Sequence, residues 1–447
     1  MRKFALLFAV FALLVNTPSA RAQNGDELKK ILERLDKLES ENQSLRTEVR
    51  ELRTKLEGPT APPAEPALPS VEERLEVAEK RIDEQAQTKV EMTQRFPLKL
   101  SGMVLFNTFA TMRHNGGNDI STAASLAPSR LNAGISIKQS ILGLKFEGPK
   151  SIWGAKVNAN LFMDFYDGNV EGNTLSPRIR TGAVSLDWES QSIRFAYDKP
   201  IFSPREPTSL ATVGIAPLTS AGNLWRWQPQ VRFEQRFQLK SNTTFKAQVG
   251  VMQTSDDFGS AAGALVERRR PALQGRFELS QSLGGERRFE IASGFSTSQT
   301  HLRTIGQTIP SRLFSVDWLM RPMDKTELTG MFWSGENIHH FGVLRNGLRV
   351  LATGRAIPVH SQGGWAQWSV MPTNRITFNF MAGIHDDRNA DLATGQNARN
   401  RQAAANIIYR IAPNVVISFE GANFRSLYLG QGTRVNQRYD LAIAYMF

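Results

Sequence analysis

From Leu98 to the terminal Phe447, apolar residues recur at every second position, in segments joined alternately by short and long connections. No other feature limits the fold so strongly, because a period of two puts one side-chain set on each face of a strand. The last segment shows it: Tyr439, Leu441, Ile443, Tyr445 and Phe447 alternate with Arg438, Asp440, Ala442, Ala444 and Met446. Similar alternation runs through Trp153-Ala155-Val157-Ala159-Leu161, Phe245-Ala247-Val249-Val251 and Ile376-Phe378-Phe380-Ala382-Ile384. Sixteen candidate strands result, over 98–113, 132–147, 151–165, 178–189, 191–202, 226–240, 243–256, 268–281, 286–300, 311–321, 325–335, 358–371, 374–386, 400–411, 414–426 and 434–447. The short connections carry turn chemistry, such as Gly148-Pro149-Lys150, Ser241-Asn242, Pro372-Thr373 and Ala412-Pro413. The long ones begin near His114, Tyr166, Ser203, Asp257, His301, Glu336, Asp387 and Leu427.

A soluble sandwich has no reason to gather its long loops at one end, whereas a membrane barrel has short turns on one side and long loops on the other. About 350 residues over sixteen strands leave about 22 for each strand and its connection, enough for the roughly 10 that cross a bilayer. The reading is an all-β transmembrane barrel of 16 antiparallel strands over 96–447. A mean hydropathy of −0.32 is compatible, since alternating strands hide their apolar face from an average. The absence of cysteine excludes a disulfide scaffold and Cys-ligated metal or haem sites. Beyond Val15 no run reaches the roughly 18 apolar residues of a membrane helix.

The net charge of +12 divides unevenly: residues 24–95 carry 13 basic and 17 acidic groups, and the part beyond them carries 38 against 25. An acidic arm therefore precedes a basic barrel. Residues 1–22 read as a signal peptide, with Arg2 and Lys3, an apolar core from Phe4 to Val15, and Ala20-Arg21-Ala22 at the cleavage site. Over 23–57 the stripe Leu28, Ile31, Leu35, Leu38, Asn42, Leu45, Val49, Leu52 and Leu56 has the 3.5-residue period of an α-helical coiled coil. Its core leaves dimer and trimer open. Residues 58–70, with five prolines, form an extended linker, and 71–95 a second helical segment through Val71, Leu75, Ala78 and Ile82. An even strand number puts both barrel ends, and hence the oligomerising arm, in the periplasm of a Gram-negative-type bacterium, within reach of peptidoglycan. The C-terminal Tyr439, Leu441, Ile443, Tyr445 and Phe447 are the expected signal for the barrel-assembly machinery.

The inward face supplies the candidate solute path. On the strand register it carries Lys156, Arg194, Arg232, Arg236, Lys246, Arg276, Arg288, Arg375, Arg410 and Arg438 against Asp164, Asp187, Glu234, Glu278, Glu290, Asp317, Glu420 and Asp440. That slight basic excess favours small anionic solutes. The third long loop, Ser203 to Trp225, is too apolar for a solvated loop and is expected to fold into the barrel and constrict it, with Arg205 and Glu206 projecting and Arg226 at its far end. The alternative is a surface loop packed on a neighbouring subunit. The cluster Arg268-Arg269-Arg270 suits the phosphates of outer-membrane lipopolysaccharide. The six histidines have no metal-site spacing, His339-His340 reads as loop surface, and Ser298 near His301 is the nearest thing to a hydrolytic pair. No cofactor, metal, catalytic residue or nucleic-acid partner is expected. A second functional reading is a structural anchor, with the coiled coil tethering the membrane to the cell wall.

The combined layout resembles the DcaP-like porins, relatives of the phosphate-selective OprP and OprO porins. Local stretches carry the likeness: Lys138-Gln-Ser-Ile-Leu-Gly-Leu-Lys-Phe-Glu-Gly148, Leu161-Phe-Met-Asp-Phe-Tyr-Asp-Gly168 and Arg226-Trp-Gln-Pro-Gln-Val-Arg232-Phe-Glu. The resemblance implies a homotrimer, a periplasmic coiled coil joining three chains, and passage of small anions such as dicarboxylates. Asp198-Lys-Pro-Ile-Phe202 departs from the aromatic and glutamine pattern of the family, and no dense arginine ladder of the phosphate-selective kind is present.

Overall fold

The computed structural model describes residues 98–166, 175–253, 266–268, 270–303 and 305–447. The signal peptide, coiled coil, linker and second helical segment expected over 1–95 lie outside the described residues. The described chain forms sixteen barrel strands. In chain order they are β1 (Leu98–Thr111), β2 (Asn132–Ser136 and, after a break, Ile141–Ile152), β3 (Ala155–Asp164), β4 (Arg178–Asp187), β5 (Gln191–Asp198), β6 (Gln228–Lys240), β7 (Thr243–Met252) and β8 (Val266–Arg268 and Ala272–Gly284). They continue as β9 (Arg287–Leu302), β10 (Gln307–Met323), β11 (Thr326–Glu336), β12 (His360–Thr373), β13 (Ile376–Asp387), β14 (Asn397–Ala412), β15 (Val415–Tyr428) and β16 (Gly432–Met446).

Every strand pairs antiparallel with its sequence neighbours, and β1 pairs with β16 from Met103↔Met446 to Thr111↔Arg438. The sheet is thereby closed and presents no open edge. The terminal residue completes the seam: Gly102 N–H donates to the Phe447 carbonyl (2.9 Å) and Phe447 N–H to that of Gly102 (3.1 Å).

The alternation read from sequence sorts side chains as expected. Val104, Phe195, Phe233, Phe277, Phe314, Phe380, Phe419, Tyr439, Leu441, Ile443, Tyr445 and Phe447 are exposed on the outer face. Their inward neighbours on β16, Asn436, Arg438, Asp440, Ala442 and Ala444, are buried. Such an apolar outer band is stable only against lipid or another apolar surface. Among the described residues no helix is long and apolar enough to cross a membrane.

At one barrel end the connections are tight. Trp153 (φ 49°) and Gly154 (φ 76°) alone join β2 to β3, both in the left-handed region that a two-residue hairpin requires. At the other end two connections expected to be long are short: β9 meets β10 through residues 303–306 and β15 meets β16 through 429–431. Strand pairing simply continues, to Leu302↔Gln307 and Tyr428↔Gly432. The sequence shows where the apolar band ends, but a hairpin can run past it into water.

Candidate solute path through the barrel

The third loop, between Asp198 and Gln228, is the segment that shapes the interior. Its side chains are those of a core: Ile201, Phe202, Ala211, Leu218, Ala221 and Leu224 are each at most 2% exposed. Its backbone polar groups are satisfied by inward side chains of distant strands, as burial demands. Asn107 of β1 donates to the Leu210 carbonyl (2.6 Å), Asn406 of β14 to Thr208 (2.9 Å), Asn400 of β14 to Ser220 (2.8 Å) and Trp333 of β11 to Gly222 (2.7 Å). Thr208 N–H donates in turn to Gln367 of β12 (2.7 Å). The break in β2 serves the same purpose: Gln139, in the gap, accepts from the Val213 and Gly214 amides (2.6 and 2.7 Å) and donates to the Ala211 carbonyl (2.9 Å).

Close approach to the wall depends on glycine. Gly222 has φ 104°, and a Cβ there would overlap the carbonyl oxygen of Gly364, while one on Gly383 would overlap that of Ala221. The loop backbone therefore lies directly on β12 and β13.

A second loop, 337–359, packs over the first. Phe341 meets Phe202 edge-on with ring centroids 5.0 Å apart, and its carbonyl accepts from Trp225 N–H (3.0 Å). His339 and His340, expected at a loop surface, are instead 6% and 2% exposed in the short 3-10 turn His339–Phe341. They are buried because this loop folds back into the barrel mouth. Burial, reinforced by the Arg226 charge, pushes the His340 imidazole down to about 3, and burial with the neighbouring His340 and Arg226 holds His339 well below its usual range.

The two loops divide the interior. Inward positions of β14 to β16, such as Asn400, Asn406, Phe424, Ser426 and Asn436, are buried, Asn406 against the third loop, Asn400 against both the third loop and the loop after β1, and Ser426 and Asn436 against the loop after β1 at Ala124 and Ser121. Inward charges on β3 to β7 other than the fully buried Asp164 stay partly open, and this side holds most of the residues anticipated from sequence. Arg194 lies directly opposite Arg232 across β5 and β6, and Arg236 opposite Lys246 across β6 and β7. Arg226 is half-buried at the loop's end. Glu206 pairs with Lys199 (2.8 Å).

Arg205 anchors the loop rather than projecting freely. Its Nε donates to Asp317 (3.0 Å) and its Nη2 to Glu290 (2.6 Å) and Glu278 (3.4 Å), spanning β8 to β10. Beneath it Arg276 bonds both oxygens of Asp317 at 2.8 Å. Two residues expected on the pore lining are closed off from it. Arg276 is 1% exposed, and Arg438 is 2% exposed, held by Asp440 at 2.8 and 2.6 Å and by the Asp119 carbonyl. Arg276 is enclosed by Asp317 and Glu278, and Arg438 by Asp440, the Asp119 carbonyl and the Phe109 ring, over which its guanidinium lies at 5.0 Å.

Sequence reasoning missed Arg178 and Arg180 on β4. Both bond the fully buried Asp164 (2.7 and 2.8 Å), both donate to carbonyls of the third loop, and both guanidinium groups lie over the Trp227 ring. The signal was present, because Ile179 between them points outward and fixes their parity.

The ion pairs on the open side share an asymmetry. Asp164 is 0% exposed against 30% and 14% for Arg178 and Arg180, Glu234 is 19% against 42% for Arg236, Glu290 is 19% against 47% for Arg288, and Glu278 is 8% against 26% for Lys246. The Lys199–Glu206, Lys156–Glu147, Arg276–Glu278 and Arg205–Glu290 pairs run the other way, as do the pairs of Arg321, which lies opposite Arg288 near the tight turns. Acids sit mostly against the wall and bases towards water.

Among the described residues His301 pairs with Thr308 (3.1 Å) rather than Ser298, and no group of three or more His, Asp or Glu could hold a metal.

The barrel is similar in fold to solved outer-membrane channels. The outer membrane channel DcaP of Acinetobacter baumannii aligns over 78% of this chain and 97% of its own, at 15% identity and a TM-score of 0.64. An anion-selective porin from Comamonas acidovorans aligns over 78% and 99% at 13% identity (TM-score 0.51), and Pseudomonas putida OprB over 81% and 97% at 9% identity (TM-score 0.50). No family model matches the chain, and no curated protein matches it in sequence. The likeness is one of fold: a 16-stranded porin barrel.

Proposed function

We infer that the chain is an outer-membrane porin that admits small hydrophilic solutes by diffusion and prefers anions, with the third loop as its constriction. The observation that carries this is the asymmetry of the ion pairs on the open side. A count of inward charges is nearly balanced, but an ion in the pore interacts most with the groups that share its water. Acids withdrawn against the wall and bases turned to the lumen leave a positive potential from paired charges. Positive side-chain rings at a narrowing lower the barrier for anions. The opposed Arg194–Arg232 and Arg236–Lys246 pairs extend that surface along β5 to β7.

The passage needs no chemical step. Loop and wall set the width, and the guanidinium groups replace part of an anion's hydration. The heptad stripe Leu28 to Leu56 fits an arm that joins three such barrels in the periplasm.

Planar-bilayer recording tests the reading. The expected result is conductance closing in three steps, with a reversal potential of anion sign under a salt gradient. A cation-signed reversal potential rejects the assignment of the open side, and an inserted but non-conducting barrel favours the anchor reading.

A further inference from the structure

The outer face carries a feature that solute passage does not use. Cross-strand register places Arg401 of β14 directly opposite Arg425 of β15, both exposed and both pointing outward. Like charges in that position destabilise a strand pair. Among the described residues neither has a carboxylate within ion-pair distance: Arg425 bonds only the side-chain oxygen of Asn423 (3.3 Å), and the nearby Asp386 is held by Arg399 at 2.8 and 3.1 Å.

The pair stands at the edge of the apolar band. Below Arg401 the outward positions of β14 are Ala403, Ala405, Ile407, Tyr409 and Ile411, and below Arg425 those of β15 run from Asn423 through Gly421 to Phe419, Ile417 and Val415. Beside it opens a groove of about 780 Å³, lined by both arginines. Its floor is Ala366, Ala382 and Ala403, adjacent in one ladder row, and Trp318 and Phe332 wall one side. A shallower depression continues from it between Trp368, Phe380 and Tyr439.

We propose that this groove on β11 to β15 holds an anionic, phosphate-bearing lipid of the leaflet facing the long loops, its phosphate bound by Arg401 and Arg425 and an acyl chain laid over the alanine floor. The proposal rests on the membrane-spanning reading of the barrel. On a lipid-facing surface a groove must be filled by lipid or protein, and the charges choose between lipids: two guanidinium groups form bidentate bonds to phosphate oxygens, and the bound anion relieves their mutual repulsion. The site is separate from the lumen.

The test uses the full-length protein in detergent with bisphosphorylated lipid A as probe, read by native mass spectrometry after mild delipidation. Wild-type protein should retain the lipid, and lipid A stripped of its phosphates should be lost. The double variant R401E/R425E should retain about tenfold less, the scale expected for losing charge-assisted bonds. Heat-modifiable gel mobility checks its folding, and Ala382→Trp, which fills the floor without touching charge, should lower retention as well. Equal retention by wild type and both variants overturns the proposal, as does equal retention of the phosphate-free lipid. A charge variant that loses its oligomeric state while keeping the lipid assigns the face to a second copy and also overturns it. Bilayer selectivity of R401E/R425E should match wild type, so failure of the lipid site and failure of the pore reading give different results.

Discussion

Arg232→Glu is the perturbation that bears most directly on how the pore chooses its solutes. Arg232 faces the lumen opposite Arg194 and anchors no part of the third loop through a side-chain bond described above, so its reversal alters potential more than shape. A monovalent ion passing at about 7 Å in water feels about 0.6 kcal/mol from one unit charge. Screening at 0.1 M salt, with a Debye length of about 10 Å, reduces this to about 0.3 kcal/mol. Replacing a positive by a negative charge swings the energy by about 0.6 kcal/mol for each ion, with opposite sign for anion and cation, so their ratio moves by about 1.2 kcal/mol, or about sevenfold. A low-dielectric wall enlarges the effect. The assay is the reversal potential of reconstituted channels across a tenfold potassium chloride gradient, which should shift towards the cation side, with a smaller shift at 1 M salt. A change below about twofold, or a shift towards anions, refutes the argument that lumen-facing bases set selectivity.

Other substitutions separate anchoring from selectivity. Arg205→Ala leaves Asp317, Glu278 and Glu290 sharing fewer cations, and loss of one member of such a buried cluster costs about 3 kcal/mol. The third loop should loosen, seen as larger, noisier conductance and faster proteolysis within 203–225, and an unchanged trace would place Arg205 outside the anchor. Acid should release the second loop. The imidazole of His340 lies near 3 when packed and near 6.5 when exposed, so the packed loop's stability is complete above about pH 6.5 and falls as pH drops towards 3. At pH 4.5 the loss from this group is about 2.7 kcal/mol. Hydrogen exchange over 337–347 should rise between pH 6.5 and 4, and His340→Phe should flatten that rise. Deleting residues 24–95 should leave a folded barrel with slower or weaker oligomer assembly by native gel, and an equally stable oligomer would give the arm another role.

Strand periodicity is local chemistry, and it was legible. Sixteen strands form as alternation requires, and the terminal aromatic set from Tyr439 to Phe447 faces outward, but the turn expected at Gly148-Pro149-Lys150 lies at Trp153-Gly154, because strand pairing continues through Lys150 to Ile152. The apolar character of Ser203 to Trp225 likewise announced a segment that solvent would not accept, and the structure surrounds it with inward side chains. Arg178 and Arg180 were readable by the same parity and were overlooked. The lengths of the β9–β10 and β15–β16 connections were not readable, because a hairpin that outruns the bilayer carries no hydrophobic signature.

What the sequence by itself determined was the closed sheet, its two faces and which charges point inward, since a strand's period is a property of neighbouring residues. Only the tertiary structure decided how those charges present themselves. Whether Arg276 and Arg438 meet pore water or lie beneath a loop, why Asp164 hides behind two arginines, and that His339 and His340 are core rather than surface all depend on partners far away in sequence. Selectivity and the outer groove belong to this second kind. Each arises where register aligns residues on different strands, Arg194 with Arg232 or Arg401 with Arg425, and that alignment exists only once the barrel has closed.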